Sequence, residues 1–342
     1  MTADVTIVGG GILGCVIARE LADRLPGARL VVLDQDMVGS GASRRSAGLH
    51  IPRGATGRVR RMTSYSQAWY ERLLAGHPEL PIRPVDMFVV GSGEDPPAAY
   101  VDDARLEPFD GPREHVPTGA RMWRAHGAQY ADVYQLTRAL AAGLRDRVEI
   151  RESARVNALE STSDGVVVRL DSGERVVSRR LVLAPGPWLS SGAWRDLVAP
   201  LGARVKKVVA LHVDGPVPPD AGVVVYEDVD AFLLPLRNAG HWLFSYTCQE
   251  WDVDPATVAC GLSTHDIEEA GRALRDCAPS LVDRNGSGRV FCDAYSTTRE
   301  PLVTALADDR VVFAGAANGS GYRLAPAIAD EVAELLVPAP HR

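Results

Sequence analysis

Three glycines near the N-terminus have the spacing of a loop that binds a pyrophosphate. The stretch reads DVTIVGGGILGCVIARELA, and Gly9, Gly11 and Gly14 follow the pattern GxGxxG between a strand and a helix. Such glycines allow a tight turn, a close approach of the backbone to the phosphates, and close helix–strand packing. Asp34 ends the next apolar strand, where a carboxylate accepts hydrogen bonds from ribose hydroxyls. The pattern predicts a dinucleotide site, and an acid at position 34 disfavours a 2′-phosphate.

A second glycine-rich motif, NGSGYRLAP, lies near the C-terminus just before a helix-like run. A helix start needs one capping residue, so a glycine pair followed by Arg323 calls for another explanation. A guanidinium suits a carboxylate, which it can bind with two parallel hydrogen bonds. The motif by itself leaves the role of Arg323 open, and a surface salt bridge is the ordinary alternative to a carboxylate site.

The segment after the second strand favours FAD over NAD. It reads VGSGASRRSAGLHIPRG and is long, polar and rich in small residues, whereas a plain nicotinamide dehydrogenase continues quickly into its next helix. Its hydroxyls and guanidinium groups can contact phosphates and the flavin edge, and its small residues leave room for a flat ring. A flexible loop is the alternative. The residues concerned are Ser43, Arg44, Arg45, Ser46, Ala47 and Gly48.

Composition excludes several classes of function. The 342 residues carry a net charge of −7 and are 46% hydrophobic, which disfavours nucleic acid as a partner. We expect no membrane span, since no apolar run approaches about 18 residues, and no signal peptide. Five scattered cysteines without a CxxC pair favour a reduced, cytoplasmic protein. Dispersed histidines give no metal-ligand spacing, so no metal is expected.

Five stretches together resemble the D-amino-acid-oxidase superfamily of FAD enzymes, in particular its glycine oxidase and sarcosine oxidase branch. They occur in the family's order and touch most of the chain; the first is common to many dinucleotide folds, but the set is specific. The stretches are VTIVGGGILGCVIARELA, GSGASRRSAGL, YADVYQLTRALAAGL, LVLAPGPW and VVFAGAANGSGYRLAPAIADEVAEL.

The resemblance implies an α/β fold in which two domains interleave. A Rossmann-like FAD-binding domain alternates with an α+β substrate domain built on a mostly antiparallel sheet. The predicted FAD-binding segments are 1–80, 132–204 and 291–342, and the predicted substrate segments are 81–131 and 205–290.

The resemblance also implies which residues contact FAD. In the family, the C-terminal helix start points at the pyrimidine end of the flavin, where N–H groups stabilise the charge of the reduced ring. We expect non-covalent FAD, because Cys292 lies one residue too far from Tyr295 to match the cysteine that carries the flavin in sarcosine oxidases. Besides the loop residues 43–48 named above, the predicted FAD contacts are Gly9, Gly11, Ile12, Leu13, Gly14, Asp34, Gln35, Val156, Ala184, Gly186, Trp188, Gly319, Ser320, Gly321, Tyr322, Arg323 and Leu324.

For the substrate, the resemblance places Arg323 where sarcosine oxidases have a carboxylate-binding lysine. Tyr295 and Arg299 are further candidates for the carboxylate, and Arg299 is the alternative anchor. Leu243 stands where those enzymes carry a lysine that promotes reaction with oxygen. The apolar pair Trp242 and Phe244 is predicted to line the substrate cavity, together with His50. The histidines His50, His212 and His241 are interpreted as structural rather than as catalytic bases.

The sequence thus predicts an FAD-dependent oxidase acting on an amine next to a carboxylate, with no catalytic side chain beyond the flavin. The expected substrate is an amino acid, most specifically an N-substituted glycine cleaved to glyoxylate and a free amine, as in some relatives in secondary metabolism. Oxygen, reduced to hydrogen peroxide, or another acceptor takes the electrons, and an oligomer is possible. The alternatives are a D-amino-acid or 2-hydroxy-acid dehydrogenase with another acceptor, and a non-catalytic flavin-binding subunit.

Overall fold

The computed structural model describes residues 2–113, 115–258, 261–282, 284–306 and 309–337. In chain order the strands are β1 Thr2–Val8, β2 Leu30–Leu33, β3 Leu49–His50, β4 Ile82–Pro84, β5 Met87–Gly91, β6 Glu107–Pro108, β7 Arg121–Ala125, β8 Gln129–Ala131, β9 Val148–Arg151, β10 Val156–Thr162, β11 Gly165–Leu170, β12 Arg175–Leu183, β13 Arg204–Asp214, β14 Val223–Tyr226, β15 Ala231–Leu236, β16 His241–Tyr246, β17 Asn285–Tyr295, β18 Leu302–Leu306 and β19 Val311–Gly315. The α-helices are α1 Ile12–Arg24, α2 Ala42–Arg45, α3 Gly57–Gly76, α4 Val133–Leu144, α5 Arg195–Val198, α6 Thr264–Cys277 and α7 Gly321–Leu336.

The first sheet is built around parallel strands from both ends of the chain. β1 pairs in parallel with β2 and β12, β2 with β9, and β12 with β19. The antiparallel strands β10, β11 and β18 complete it. Residues Leu30–Leu33 are all buried, as expected for a strand covered on both faces. Helices α1, α4 and α7 supply one of these covers.

Helix α7 is held in place although it contains a proline. Pro326 has no N–H to donate to the carbonyl of Tyr322, four residues earlier. That carbonyl accepts a hydrogen bond from the Tyr70 hydroxyl at 2.7 Å instead. Ser66, one turn earlier on α3, accepts from the Ala327 amide at 3.3 Å. Two side chains of α3 thus satisfy the backbone near the proline and fix where α7 begins.

The second sheet has the order β17-β13-β16-β15-β14-β5-β7-β6 and is antiparallel except between β14 and β5. One face packs against α6, and the other faces the first sheet across a cavity. The predicted fold class, with a Rossmann-like domain and a mostly antiparallel substrate sheet, is confirmed. The segment boundaries stay a prediction; β17 runs across the one predicted between residues 290 and 291.

No helix in the described part of the chain is both long enough and apolar enough to cross a membrane. Across those same residues, no group of three or more His, Cys, Asp or Glu side chains could hold a metal ion.

Gly14 generates a test of this packing. A Cβ atom on Gly14 would lie 1.8 Å from the carbonyl oxygen of Gly9, so G14A forces the turn between β1 and α1 apart. We expect the free energy of unfolding to fall by about 3 kcal/mol or more, measured by urea titration. G143A on α4 is the matched control, since its Cβ meets nothing within 4 Å and should raise stability by about 0.5–1 kcal/mol. Equal stability of the two variants would contradict this account.

Candidate functional site: an elongated cavity between the two sheets

A single elongated cavity of about 1070 Å³ runs between the sheets. It begins at the carboxyl ends of β1 and β2, where open α/β sheets bind ligands, and ends against the second sheet. Ordinary small-molecule pockets measure about 300–1,000 Å³. The cavity therefore lies just above the upper end of this range, which suits a large ligand such as a dinucleotide.

The predicted pyrophosphate loop forms one end of this cavity. Gly9 has φ +110°, and a Cβ atom there would lie 2.2 Å from the carbonyl oxygen of Ala184. The carboxylate of Asp34 accepts hydrogen bonds from the Gly10 amide at 2.6 Å and the Asp36 amide at 2.9 Å. Burial raises the pKa of Asp34, against the effect of these two amides. Asp34 thus shapes the loop as well as facing the position expected for a ribose.

Ser43 has a different immediate role from the one the sequence indicated. Its hydroxyl lies at the start of α1 and accepts a hydrogen bond from the Ile12 amide at 2.9 Å. The hydroxyl therefore satisfies a helix N–H that the helix itself leaves unpaired. Ser43 still lines the cavity, so it joins the second loop to the pyrophosphate loop.

All but one of the predicted FAD contacts line the cavity. The exception is Arg44, which is exposed and lies over the Tyr134 ring at 5.5 Å; on the short helix α2 its side chain points away from the cavity. Trp188 lines the cavity, and its ring also packs against Gly41. A Cβ atom at position 41 would lie only 3.1 Å from that ring. The lining residues are Gly9, Gly11, Ile12, Leu13, Gly14, Asp34, Gln35, Ser43, Arg45, Ser46, Ala47, Gly48, Val156, Ala184, Gly186, Trp188, Gly319, Ser320, Gly321, Tyr322, Arg323 and Leu324.

The C-terminal motif is fastened to the end of β17. Asn318 donates its backbone N–H to Ala294 at 3.2 Å, and its side-chain oxygen accepts from the Ser296 amide at 3.1 Å. A Cβ on Gly319, which has φ +75°, would lie 3.3 Å from the Tyr295 hydroxyl. Left-handed backbone at Asn318 and Gly319 therefore lets the first sheet contact the second. This contact brings Arg323 to the same cavity as Tyr295.

Arg323 points inward. Its Nη1 donates to the carbonyls of Ile51 and Arg53, and its Nη2 donates to the Ser320 hydroxyl at 2.7 Å. No carboxylate of the described residues forms an ion pair with it. Burial, with the positive charge of Arg53, lowers the pKa of Arg323 to about 10. The guanidinium remains charged at neutral pH, and within the described residues the carboxylate that attracts it is Asp230, from beyond ion-pair distance.

The end of the cavity nearest the second sheet is the predicted substrate end. It is also lined by residues that the sequence did not indicate: Lys206, Trp251, Asp293 and Arg53. Lys206 and Asp293 lie directly opposite each other on β13 and β17. Arg53 is paired with Glu227 at 2.7 Å. The sequence signal for Lys206 and Asp293 was the alternation of inward and outward side chains along β13 and β17. It identifies the residues that face the cavity only once the pairing register of the two strands is known.

Three predicted substrate residues are not at the cavity. Trp242 and Phe244 lie on the opposite face of the second sheet, in the cluster formed with α6. His50 is fully buried, with its ring edge-on to Tyr70. These predictions were wrong because successive side chains of a strand point to opposite faces; Ser245 of β16 and Ile51 beside β3 line the cavity instead.

His50 also lacks the surroundings of a proton carrier. Neither of its ring nitrogens has a hydrogen-bond partner among the described residues. Burial and the charge of Arg323 lower the pKa of His50 to about 3. The interpretation of His50 as structural therefore agrees with its position.

Two further positions bear on the cofactor. Cys292 is 4% exposed and belongs to the core cluster behind the first sheet, while its neighbours Phe291 and Asp293 line the cavity. Arg289, on the cavity side of β17, donates to the Ser46 carbonyl and to His212, both at 3.1 Å. Arg289 therefore ties the loop predicted to contact FAD to the second sheet.

A glycine-rich loop, a carboxylate at the end of β2 and a long cavity beside them form the arrangement of a dinucleotide-binding protein. A family model described as DAO, FAD dependent oxidoreductase, matches residues 4–335. The chain belongs to this family and is an FAD-dependent oxidoreductase. Its lining residues fit that cofactor, since the N–H groups of a helix start, an accepting carboxylate at position 34 and small residues lie along one continuous cavity. Residues 9–14, 34–35 and 43–48, without Arg44, would hold the adenosine, the pyrophosphate and one flavin edge.

Solved structures resemble the chain along nearly its whole length. Glycine oxidase from Geobacillus kaustophilus is 19% identical with a TM-score of 0.79, covering 99% of this chain and 96% of that one. An open form of NikD, an unusual amino acid oxidase essential for nikkomycin biosynthesis, is 18% identical with a TM-score of 0.80, covering 99% and 95%. L-proline dehydrogenase from P. horikoshii is 17% identical with a TM-score of 0.79, covering 98% and 93%. At these identities the likeness establishes the fold. A search of curated proteins finds no significant match.

Asp293 generates a pH prediction. Burial raises its pKa to about 6, against the Ala294 and Gly319 amides and Lys206. An unfolded aspartate titrates near pH 3.9, so the folded protein binds more protons between these values. The free energy of unfolding should therefore fall as pH rises from about 4 to 6, by on the order of 2 kcal/mol from this residue.

Urea titrations at constant saturating FAD measure this effect as the difference between the wild type and D293N across that pH range. D103N, which alters an exposed aspartate, should keep the wild-type pH dependence. A D293N curve parallel to that of the wild type would show that Asp293 titrates without coupling to folding.

Proposed function

We propose that the protein oxidises an amine whose α-carbon carries a carboxylate. The observation that carries the proposal is the partly buried guanidinium of Arg323, which faces the cavity without a carboxylate partner among the described residues. Desolvating a charge is costly unless an opposite charge or hydrogen bonds compensate. A substrate carboxylate would supply the missing charge.

The hydrogen bonds of Arg323 leave it able to bind such a group. Arginine has five N–H donors, and the three hydrogen bonds described for this side chain use both hydrogens of Nη1 and one of Nη2. The donors that remain are on Nε and Nη2, two nitrogens that share one edge of the guanidinium. Such an edge can bind both oxygens of a carboxylate. The bonds to Ile51, Arg53 and Ser320 hold the group in a fixed orientation.

The rest of the substrate end supports oxidation without a side-chain base. FAD supplies the hydride-accepting atom when it is bound. Arg323 would bind the carboxylate with Tyr295 beside it, which sets the α-carbon over the cofactor. No histidine lines the cavity in the part of the chain that the structure describes. The amine then needs only to reach the site unprotonated.

Our more specific proposal is an N-substituted glycine, cleaved to glyoxylate and a free amine, with non-covalent FAD and with oxygen giving hydrogen peroxide. Phe232 on the cavity wall favours an organic substituent on the nitrogen. One of the similar structures is a glycine oxidase, which supports this choice. A cytoplasmic location and a role in secondary metabolism are part of the same proposal.

A dehydrogenase is the second candidate. Leu243 is fully buried in a core cluster and offers no charge near the cavity, which favours an acceptor other than oxygen. Its substrate would be a D-amino acid or a 2-hydroxy acid. A non-catalytic flavin-binding subunit is the remaining alternative, and the inward position of Arg323 counts against it.

A substrate panel separates these candidates. Purified FAD-loaded protein is mixed anaerobically with glycine, N-alkyl glycines, D-amino acids, proline and 2-hydroxy acids, and loss of the oxidised flavin absorbance is followed. We expect N-alkyl glycines to reduce the flavin fastest and oxygen to restore the absorbance with formation of peroxide. Restoration only by an artificial acceptor would favour the dehydrogenase, and an inert flavin would favour the subunit.

Substitution of Arg323 tests the anchor itself. R323Q should raise KM for the best substrate about 100-fold, the effect of losing hydrogen bonds to a charged group, while R323K should recover part of it. R299Q alters the exposed alternative anchor, which also lines the cavity, and should change KM much less. Steady-state kinetics gives the comparison, with FAD content and Tm as checks on folding. A larger effect of R299Q would move the anchor to Arg299.

A further inference from the structure

Lys206 ends in the cavity wall between two aromatic rings. The residue is only 6% exposed, yet it lines the cavity. Its Nζ lies 4.5 Å from the centroid of the Tyr295 ring and 5.1 Å from that of Trp251. The two rings meet edge to face with centroids 5.4 Å apart. They therefore form a fixed support for the ammonium at the cavity surface.

Among the described residues, no acceptor forms a hydrogen bond or a close ion pair with the Lys206 Nζ. The next residue, Lys207, shows the usual arrangement, since its Nζ lies 2.9 Å from Glu250 and 2.8 Å from Asp266. Aromatic faces stabilise a nearby cation, but they do not accept conventional hydrogen bonds from its three N–H groups. Burial lowers the pKa of Lys206, and an oxygen ligand would offset that burial.

Asp230 and Asp293, the carboxylates whose charge acts on Lys206, have closer partners of their own. Asp293, opposite it on β17, accepts a hydrogen bond from the Ala294 amide at 2.8 Å. Asp230 lies 3.7 Å from Arg53, which Glu227 also neutralises. Each of these acids attracts Lys206 only from a distance. Among the described residues, Lys206 and Arg323 therefore both line the cavity without a carboxylate in ion-pair contact.

We propose that Lys206 binds a second acidic group of the substrate, so that the substrate is a dicarboxylic amine held by Arg323 at one carboxylate and by Lys206 at the other. This inference rests on the proposed function, because it takes Arg323 as the first anchor. An N-(carboxyalkyl)glycine or an acidic amino acid has the required chemistry. Lys206 would then be a specificity-determining residue that selects substrates by their distal end.

Binding of unreactive acids tests the inference without any turnover. Calorimetric titration of the FAD-loaded protein compares pentanoate, glutarate and the half-amide of glutarate, which share one chain length, with succinate and adipate as shorter and longer diacids. We expect the best diacid to bind about tenfold or more tightly than its monoacid, because a hydrogen bond to a charged group contributes about 1.5–3 kcal/mol. K206M should abolish this preference and K206R should retain part of it.

R204Q is the matched control. Arg204 lies two residues earlier on β13, and its guanidinium is 5.0 Å from the same Trp251 ring, but it is exposed and paired with Asp252. This variant should keep the wild-type preference for the diacid. The inference is overturned if glutarate and its half-amide bind equally to the wild type, or if K206M keeps the preference.

Failure of the proposed function gives a different result. If no acid binds, or if R323Q binds pentanoate as tightly as the wild type does, the carboxylate anchor at Arg323 is wrong, and the inference about Lys206 falls with it. If pentanoate binding depends on Arg323 but the second carboxylate adds nothing, only the role of Lys206 is wrong.

Discussion

The site depends on the contact between the start of α7 and the end of β17. Asn318 joins the two segments through its backbone and its side chain, and left-handed backbone at Gly319 lets the Tyr295 hydroxyl approach. The first segment follows β19 of the first sheet, and β17 belongs to the second sheet, so this contact sets the distance between the two ends of the cavity. Tyr70 fixes the same helix from behind by bonding the carbonyl that Pro326 leaves unpaired. A cavity shared by two ligands requires such a rigid junction, because a small displacement there would separate the anchor from the cofactor.

The N-terminal half of the site could be predicted from sequence because its residues are close together in the chain. Gly9, Gly14 and Asp34 belong to one strand–helix–strand unit. At each of the two glycines a Cβ atom would collide with a backbone carbonyl, which is the steric requirement that the GxGxxG pattern indicates. The C-terminal motif could be predicted only through the resemblance to a family. Nothing in its own residues says that β17 lies beside it.

The substrate end was harder to predict because it depends on which face of a strand points to the cavity. In β16 the aromatic residues Trp242 and Phe244 looked like a ligand wall, yet they pack against α6. An error of one residue in assigning the faces of a strand moves every side chain to the opposite face. Large apolar residues give no correction, because they occur in a core as well as in a pocket. Lys206 and Asp293 were missed for the related reason that their pairing joins strands far apart in the sequence. Charged residues on a strand between apolar neighbours are the signal that such a search would use.

The two aromatic rings beside Lys206 show how a protein can stabilise a buried cation while leaving it able to bind an anionic ligand. A carboxylate within ion-pair distance would stabilise the ammonium, but it would also take up the hydrogen bonds and the charge that an incoming acid needs, as Glu250 and Asp266 do for Lys207. The faces of Tyr295 and Trp251 stabilise the charge without taking up its N–H groups as hydrogen-bond acceptors would. Arg323 reaches the same condition by another route, since its bonds to backbone carbonyls and a hydroxyl orient the guanidinium without neutralising it. In both cases neutral groups position the cation, so the electrostatic attraction remains available for an anion that enters the cavity.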